Sequence, residues 1–372
     1  MRILFVNHTS YAEEVTGAEK SLYYDVHCLK ERGFHVVVLS RKYGRSTELF
    51  RQLGVPVFVV PYDSPHLEKR IARINPDLVY VNTIGPVSVG AAAHSLRLPV
   101  LWFVREIPTW NVERIKTIRR HASAIVAISD AVEQNLRSLG VNDRIERLPN
   151  AVDLDELDER VWPAYRAERR QKRKLREDRI VVGFVGKVSE KKGIAHFVEM
   201  AIRVGRREPK AAFFVFGHIR SYTKPLIRQL KRRLAAAHMS KRMFFLGFTD
   251  NIERIYPSLD IVVVPSLADE PFGRVTVEAM AFRKPVVAYD SGASRELVVH
   301  GETGFVVPKG DVKKLSKAVL KLFDPSKRLE FGSAGRRRVE QHFSMTTHAE
   351  RLVELVHRYA RSVDARRERV IV

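Results

Sequence analysis

Short apolar runs recur along the chain, with helical patterns between them. The runs Arg2–Asn7, His35–Ser40, Val57–Val60, Leu78–Val81, Val100–Val104 and Ala124–Ile128 do not alternate with polar residues. Unbroken runs of that kind fit strands buried on both faces, as in a parallel sheet. Helical stretches fit between them at Gly17–Arg32, Glu48–Leu53, His66–Ile74, Val87–Ser95 and Asp130–Leu139. Gly33 supplies a C-terminal stop for the first helix, and Ser129 with Asp130 can cap the start of the last. Asn75-Pro76-Asp77 marks the turn before one strand, and Pro99 stands ahead of another. Strand and helix alternating in this way predict a parallel sheet covered on both faces.

The pattern then begins again. Ile180–Val185, Ala212–Gly217, Phe244–Gly247, Ile261–Val264, Pro285–Ala288 and Phe305–Val307 read as strands. Helices are expected after Gly193, from Thr249 to Tyr256, over Val275–Phe282, and over Asp311–Phe323, Glu330–His342 and Met345 to Arg361. Asp153-Leu154-Asp155 reads as a further helix start. A chain of 372 residues is too long for one ordinary core, so two α/β domains are expected. The expected division is 1–158, a basic hinge at 159–179, 180–343, and a last helix at 344–372.

Composition narrows the class. With 45% hydrophobic and 29% charged residues, the chain has the make-up of a soluble globular protein. One cysteine, Cys28, excludes an internal disulfide and a cysteine-based zinc cluster. No apolar run reaches the ~18 residues of a membrane span. The N-terminal run is too short for a signal peptide, so a cytoplasmic location is expected. The net charge is +22, from 65 basic and 43 acidic residues. Anionic membrane, anionic small molecules and nucleic acid are the partners such a charge suits. Nucleic acid is not expected, because no helix-turn-helix, zinc-finger or RNP pattern is present. The basic segment Arg160–Arg179, flanked by Trp162 and Tyr165, and the basic tail Arg366–Val372 are the stretches that would meet an anionic surface. A solvated face is the plainer reading of such a run.

Candidate chemistry gathers in the second half. Glu270 lies in the loop after the Ile261–Val264 strand, and Glu278 follows it by eight residues, inside the next helix. Pro271 suits the turn before that helix, and Gly273 lets a ligand approach the backbone. Both carboxylates can then face the crevice at the carboxyl end of the sheet, beside helix N–H groups that suit a phosphate. The loop Gly186-Lys187-Val188-Ser189-Glu190-Lys191-Lys192-Gly193 follows a strand in the same way, and its lysines suit a diphosphate. Each has a plain alternative as surface charge. In the first half, Gly17 stands at a helix entry, but no G-x-G-x-x-G accompanies it.

These motifs, in order, resemble the retaining nucleotide-sugar glycosyltransferases of family 4, which have the GT-B fold. Glu270 and Glu278 match that family's E-x7-E. The flanking P-S-L-A-D-E-P-F-G, E-A-M-A, K-P-V-V-A and G-E-T-G-F-V-V-P match as well, and P-N-A-V-D at 149–153 resembles its P-N-G-V-D. The resemblance is strong over 180–310 and looser before 150. It implies two Rossmann-like, doubly wound domains facing a central cleft, with the last helix returning to the first domain. It implies transfer of a sugar from a nucleotide diphosphate to a hydroxyl of a glycan or lipid-linked acceptor, with no metal and no other cofactor. Glu270 is then the catalytic candidate, holding donor-sugar hydroxyls. Gly17, Arg105, Lys187, Lys192, Phe272, Gly273, Arg274, Val275 and Glu278 are the donor-binding candidates.

Three departures stand out. Lys187 replaces an arginine, Ala18 replaces a second glycine, and Arg105 stands where the family commonly has a histidine. Arg105 cannot shuttle a proton; it either binds an anion or only lines the domain interface. Ala18 would be strained if φ had to be positive there. Two other classes stay open: another enzyme of the same fold, such as a phosphorylase or epimerase, and a catalytically weak binding or scaffold subunit.

Overall fold

The computed structural model describes residues 1–8, 15–108 and 111–368, with side chains described as far as residue 360. The chain forms two compact units, Met1–Ala151 joined by the chain from Thr346 onward, and Val152–Met345.

The first unit runs β1 (Arg2–Asn7), α1 (Gly17–Glu31), β2 (His35–Ser40), α2 (Arg45–Gln52), β3 (Val57–Val59), α3 (Leu67–Ile74), β4 (Leu78–Asn82), α4 (Val87–Ser95), β5 (Val100–Val104), α5 (Val112–His121), β6 (Ala124–Ala127), α6 (Asp130–Ser138) and β7 (Ile145–Arg147). Its seven strands lie in the order β3-β2-β1-β4-β5-β6-β7, and every pairing is parallel. The central strands β4 and β5 are buried at every residue, which explains their unbroken apolar sequence. The strand order reverses between β1 and β4, so ligands are expected at the carboxyl ends there.

The second unit runs α7 (Trp162–Lys172), β8 (Ile180–Val185), α8 (Ile194–Arg207), β9 (Ala211–Phe216), α9 (Lys224–Ala236), β10 (Met243–Gly247), β11 (Ile261–Val264), α10 (Arg274–Ala281), β12 (Val286–Tyr289), α11 (Ser294–Leu297), β13 (Gly304–Val307), α12 (Val312–Lys321) and α13 (Pro325–His342). Its six parallel strands lie in the order β10-β9-β8-β11-β12-β13, reversing between β8 and β11. A final helix, α14 (Met345–Glu368), belongs from Thr346 to the first unit. There Phe34 packs on His357 and Arg358 pairs with Glu146 at 2.9 Å. Both units are thus Rossmann-like α/β sandwiches.

The expected elements differ from the observed ones where polar residues hide or break a pattern. Helix α9 was not expected because basic residues crowd its sequence, yet Ile227, Leu230 and Leu234 form a buried stripe. Helix α5 and the three-residue strand β7 were likewise not foreseen. The helix expected over Thr249–Tyr256 is replaced by two 3₁₀ turns, Ile252–Arg254 and Tyr256–Ser258. The Asn251 side chain caps the first turn, and Pro257 cannot supply the N–H that a longer helix would use. Asp153 begins no helix; its carboxylate accepts from Asp155 N at 3.0 Å, a local turn that competes with helix.

The basic segment at 159–179 is part of the second unit rather than a separate hinge. Trp162 packs on Phe282 with ring centroids 4.6 Å apart. Arg166 and Arg170 turn inward to Asp260, at 2.8 and 3.1 Å. Two of the cations expected to face an anionic surface are therefore used inside the unit. The side chains of the basic tail Arg366–Val372 lie outside the described residues.

Lys284 completes that inward cluster. Helix α10 ends with Arg283 in the left-handed region, φ 54°, and Lys284 N closes onto Ala279 O at 2.9 Å. This Schellman closure turns Lys284 into the neighbourhood of Asp260, Arg166 and Arg170. Burial lowers the ammonium's pKa to about 8; Asp260 opposes the shift, and the neighbouring guanidinium groups add to it. In the unfolded chain the amine holds its proton to higher pH, so its penalty on folding is present below pH 8 and fades as pH rises toward 10.5. Lys284→Met is expected to raise neutral-pH stability by up to about 3 kcal/mol. That advantage over the parent should shrink between pH 8 and 10.5 in paired denaturant titrations. A constant gap across that range would contradict the assignment.

Candidate functional site

Two loops at the carboxyl ends of β8 and β11 build the site, at the strand-order reversal of the second sheet. The Gly186–Gly193 loop leads from β8 into α8, and the 265–273 loop leads from β11 into α10. They are tied together through the backbone: Leu267 N and Ala268 N both donate to Lys191 O, at 2.8 and 3.1 Å. The tie needs close approach. Gly193 has φ +75°, and a Cβ there would fall 1.8 Å from Pro265 O. The far side of the second loop rests on the chain after β12. Ala293 N donates to Glu270 O at 2.9 Å, and Ser291 Oγ to Ala268 O at 2.8 Å. Gly292, at φ +55°, lies so near that a Cβ would stand 2.1 Å from Glu270 O and 2.6 Å from Glu270 N.

This packing holds Glu270 with its side chain only 12% exposed. Its Oε1 accepts from Lys192 Nζ at 2.5 Å and from Ser266 Oγ at 2.6 Å. Glu270 is therefore not a loose surface charge, and Lys192 is brought directly to it. Lys187 stands earlier in the same loop, exposed, with its ammonium 5.9 Å from the Tyr222 ring.

Glu278 is also fixed. It sits on the fifth residue of α10 and is 7% exposed, so it is not a solvated helix residue. Tyr256 donates to Oε2 at 2.8 Å and Arg274 to Oε1 at 3.2 Å. Burial and the neighbouring carboxylate push the Tyr256 hydroxyl well above its usual pKa, so it remains a donor. Gly273 caps α10 at φ +100°. Phe272 buries its ring edge-on against Phe343, 5.9 Å away, and so offers the site only its backbone. Phe272, Gly273, Arg274 and Val275 thus bring the start of α10 to the crevice; Thr276 N donates to Gly273 O at 2.9 Å, and the N–H groups before it precede the helix ladder.

Sequence reasoning missed Ser266, Tyr256 and Gly292. Ser266 lies within the matched motif, but nothing in its spacing says that it reaches Glu270. Tyr256 is 22 residues from Glu278, and only the fold joins them.

The first-unit candidates separate from this group. Gly17 is the first residue of α1, behind a Thr16–Glu19 capping box. Ala18 lies within that helix and is not among the positive-φ residues, so the anticipated strain does not arise. Residues 9–14, most of the loop expected to approach a donor, lie outside the described residues. Arg105 corrects the anion-binding expectation. It is 6% exposed, and its guanidinium is committed to neighbours within the first unit. Nε donates to Asn82 at 2.5 Å, one terminal nitrogen to Asn150, and the other to Asp25 at 2.7 Å and Tyr80 Oη at 2.6 Å. His348 of α14 meets the other oxygen of Asp25 at 2.7 Å. Burial pushes the Asp25 carboxyl up, but His348, Arg105 and Tyr80 together hold it below the usual range.

The family models match both units. The model described as Glycosyltransferase Family 4 matches residues 15–156, and that described as Glycosyl transferases group 1 matches 166–338. The chain belongs to the GT4-like glycosyltransferases. Among curated relatives of this GT4-like chain, the lipopolysaccharide core biosynthesis mannosyltransferase LpcC of Rhizobium leguminosarum bv. viciae is 35% identical over 172 residues, covering 46% of this chain and 49% of that protein. The alpha-D-kanosaminyltransferase of Streptomyces kanamyceticus is 26% identical over 280 residues, covering 74% and 63%. The matches thus span about half to three-fifths of those relatives' length. Among solved structures, Anabaena HepE in complex with UDP has a TM-score of 0.86 at 24% identity, covering 96% of this chain and 100% of that one. The GT4-like chain shares that GT-B fold.

A side chain at position 292 would meet the Glu270 backbone, and left-handed φ adds its own cost of about 1–2 kcal/mol for a residue with a Cβ. Gly292→Ala is therefore expected to destabilise the GT4-like chain by more than about 2 kcal/mol. Calorimetric melting of the purified variant checks this, and an unchanged Tm would refute the close packing.

Proposed function

We propose that the chain is a retaining, metal-independent glycosyltransferase. It would move a sugar from a nucleotide diphosphate to a hydroxyl of a glycan or lipid-linked acceptor. The observation that carries this reading is the pairing of two immobilised carboxylates on one loop–helix unit, Glu270 against Lys192 and Glu278 against Tyr256 and Arg274. Lys187, Lys192 and the first turn of α10 supply the positive potential that a diphosphate needs. Glu278, deeper in the helix, suits the ribose hydroxyls. Glu270 suits hydroxyls of the transferred sugar, helped by backbone N–H groups from Phe272 to Val275.

In the proposed step the bond from the anomeric carbon to the phosphate oxygen breaks, with its electron pair leaving on the diphosphate. The acceptor oxygen bonds to the same face of that carbon, and its proton passes to the departing phosphate oxygen. The lysines and the helix start stabilise the charge that grows on the leaving group, the role that metal ions play elsewhere. Glu270 contributes by holding the sugar in place rather than by attacking it.

The relatives support this reading by their names. HepE was solved with UDP-glucose, and two lipopolysaccharide core mannosyltransferases are similar to this chain. Cell-surface polysaccharide or glycolipid synthesis is the setting that follows. No helix among the described residues is long and apolar enough to cross a membrane. We place the chain in the cytoplasm, working at the inner membrane face on its acceptor.

Three measurements test this. A panel of UDP-, GDP-, ADP- and TDP-sugars without added metal is expected to give a thermal shift and slow nucleoside diphosphate release with one donor. Silence with all donors would remove the transferase reading and favour a binding subunit. Glu278→Ala should weaken nucleoside diphosphate binding about tenfold or more by calorimetry; an unchanged affinity would remove its ribose role. Glu270→Ala should lower turnover about a hundredfold, with a smaller effect on nucleotide affinity. Equal activity of variant and parent would exclude it from the site.

A further inference from the structure

The first unit carries a cavity at the edge of its sheet opposite the strand carboxyl ends. Its volume is about 480 Å³, and its lining includes Arg2, Lys30, His35, Phe58, Arg70 and Arg73. Arg2 and His35 open β1 and β2, Lys30 lies in the last turn of α1, Phe58 lies in β3, and Arg70 and Arg73 lie on α3. Among the described residues no carboxylate lines it. The acid beside Arg2 is Asp77, and its bond is to the Arg2 main-chain nitrogen, at 2.6 Å.

Helix-end capping explains part of this charge. Arg2 donates to Ile74 O at 2.7 Å and Lys30 to Leu53 O at 2.5 Å, both near helix ends where cations are favoured. Each uses one donor in this way, and an arginine has five. Arg70 and Arg73 cap nothing of this kind. Arg70 lies over the Phe58 ring, 5.8 Å from its centroid, while Phe58 remains 36% exposed. None of the four cations forms an ion pair with a carboxylate among the described residues. Four like charges around one concavity focus a positive potential into it, and the exposed phenylalanine at its side is an apolar surface.

We propose that this cavity binds a phosphate-bearing amphipathic anion, with the phosphate among Arg2, Arg70 and Arg73 and the apolar stem along Phe58. A volume of about 480 Å³ is in the range of small-molecule sites; it takes a head group with a short stem and is too small for a long glycan. An anionic lipid head group and a soluble phosphorylated metabolite share this chemistry. The cavity shares no lining residue with the Glu270 and Glu278 constellation, and its test does not depend on the proposed transfer.

The test compares the parent chain, Arg70→Gln/Arg73→Gln, and a control that removes the same charge elsewhere, Lys313→Gln/Lys317→Gln on α12. All four positions are exposed, so the variants should melt as the parent does. In the first arm, hexyl phosphate is titrated by calorimetry, with inorganic phosphate for comparison. In the second, flotation is measured with vesicles of equal parts phosphatidylglycerol and phosphatidylcholine. The cavity variant is expected to lose about tenfold or more in hexyl phosphate affinity, while the control keeps it. Selective loss of flotation in the cavity variant assigns a lipid head group. Selective loss of hexyl phosphate binding with flotation intact assigns a soluble ligand. If the cavity variant matches the control in both arms, the proposal falls.

Discussion

The candidate site depends on one steric constraint: the chain after β12 passes so close to the Glu270 backbone that position 292 can carry no side chain. That contact fixes the loop from behind. Lys191 O fixes it from the front by accepting two of its N–H groups. A loop held on two sides can keep a carboxylate nearly buried and still aimed at a lysine. Without the closure, Glu270 would be a flexible surface acid, and its pairing with Lys192 would be weakened by solvent and side-chain entropy. The chemistry of the second unit is in this sense a property of backbone packing before it is a property of charge.

The first unit answers a different problem. A guanidinium inside a core is costly unless its donors are satisfied. Arg105 solves this by making bonds to Asn82, Asn150, Asp25 and Tyr80. The residue that differs most from the family pattern is thereby a structural organiser. It ties strands β4 and β5 to α1, and Asp25 extends the tie to α14 through His348. The departure at 105 changes the interior of a fold whose outline is retained.

Most of the architecture was legible in the chain. Unbroken runs such as Val100–Val104 fit buried strands, and that strand has the expected bounds. Glu270, Glu278 and Lys192 were singled out through the family resemblance, since spacing alone left each of them a plain alternative as surface charge; in the structure the loops bring Lys192 to Glu270. What could not be read was anything set by close approach between distant segments. Examples are the Tyr256 hydroxyl on Glu278, the room denied at Gly292, and the four partners of Arg105. Helix α9 was hidden for another reason: arginine and lysine stems obscure an apolar stripe when they outnumber it. The basic segment at 159–179 misled because charge in a sequence has no direction, and Arg166 and Arg170 turn inward.

The His348–Asp25 contact joins residues 323 positions apart. At synthesis rates of roughly 5–20 residues per second, the N-terminal sheet waits on the order of a quarter-minute to a minute for its last partner. The second unit is complete in sequence before that moment. During the interval the acid of α1 faces Arg105 without the imidazole that later shares it, and the surface destined for α14 is uncovered. The first part of the chain to leave the ribosome is thus the last to be finished, and a truncation near the C-terminus would be felt at residue 25.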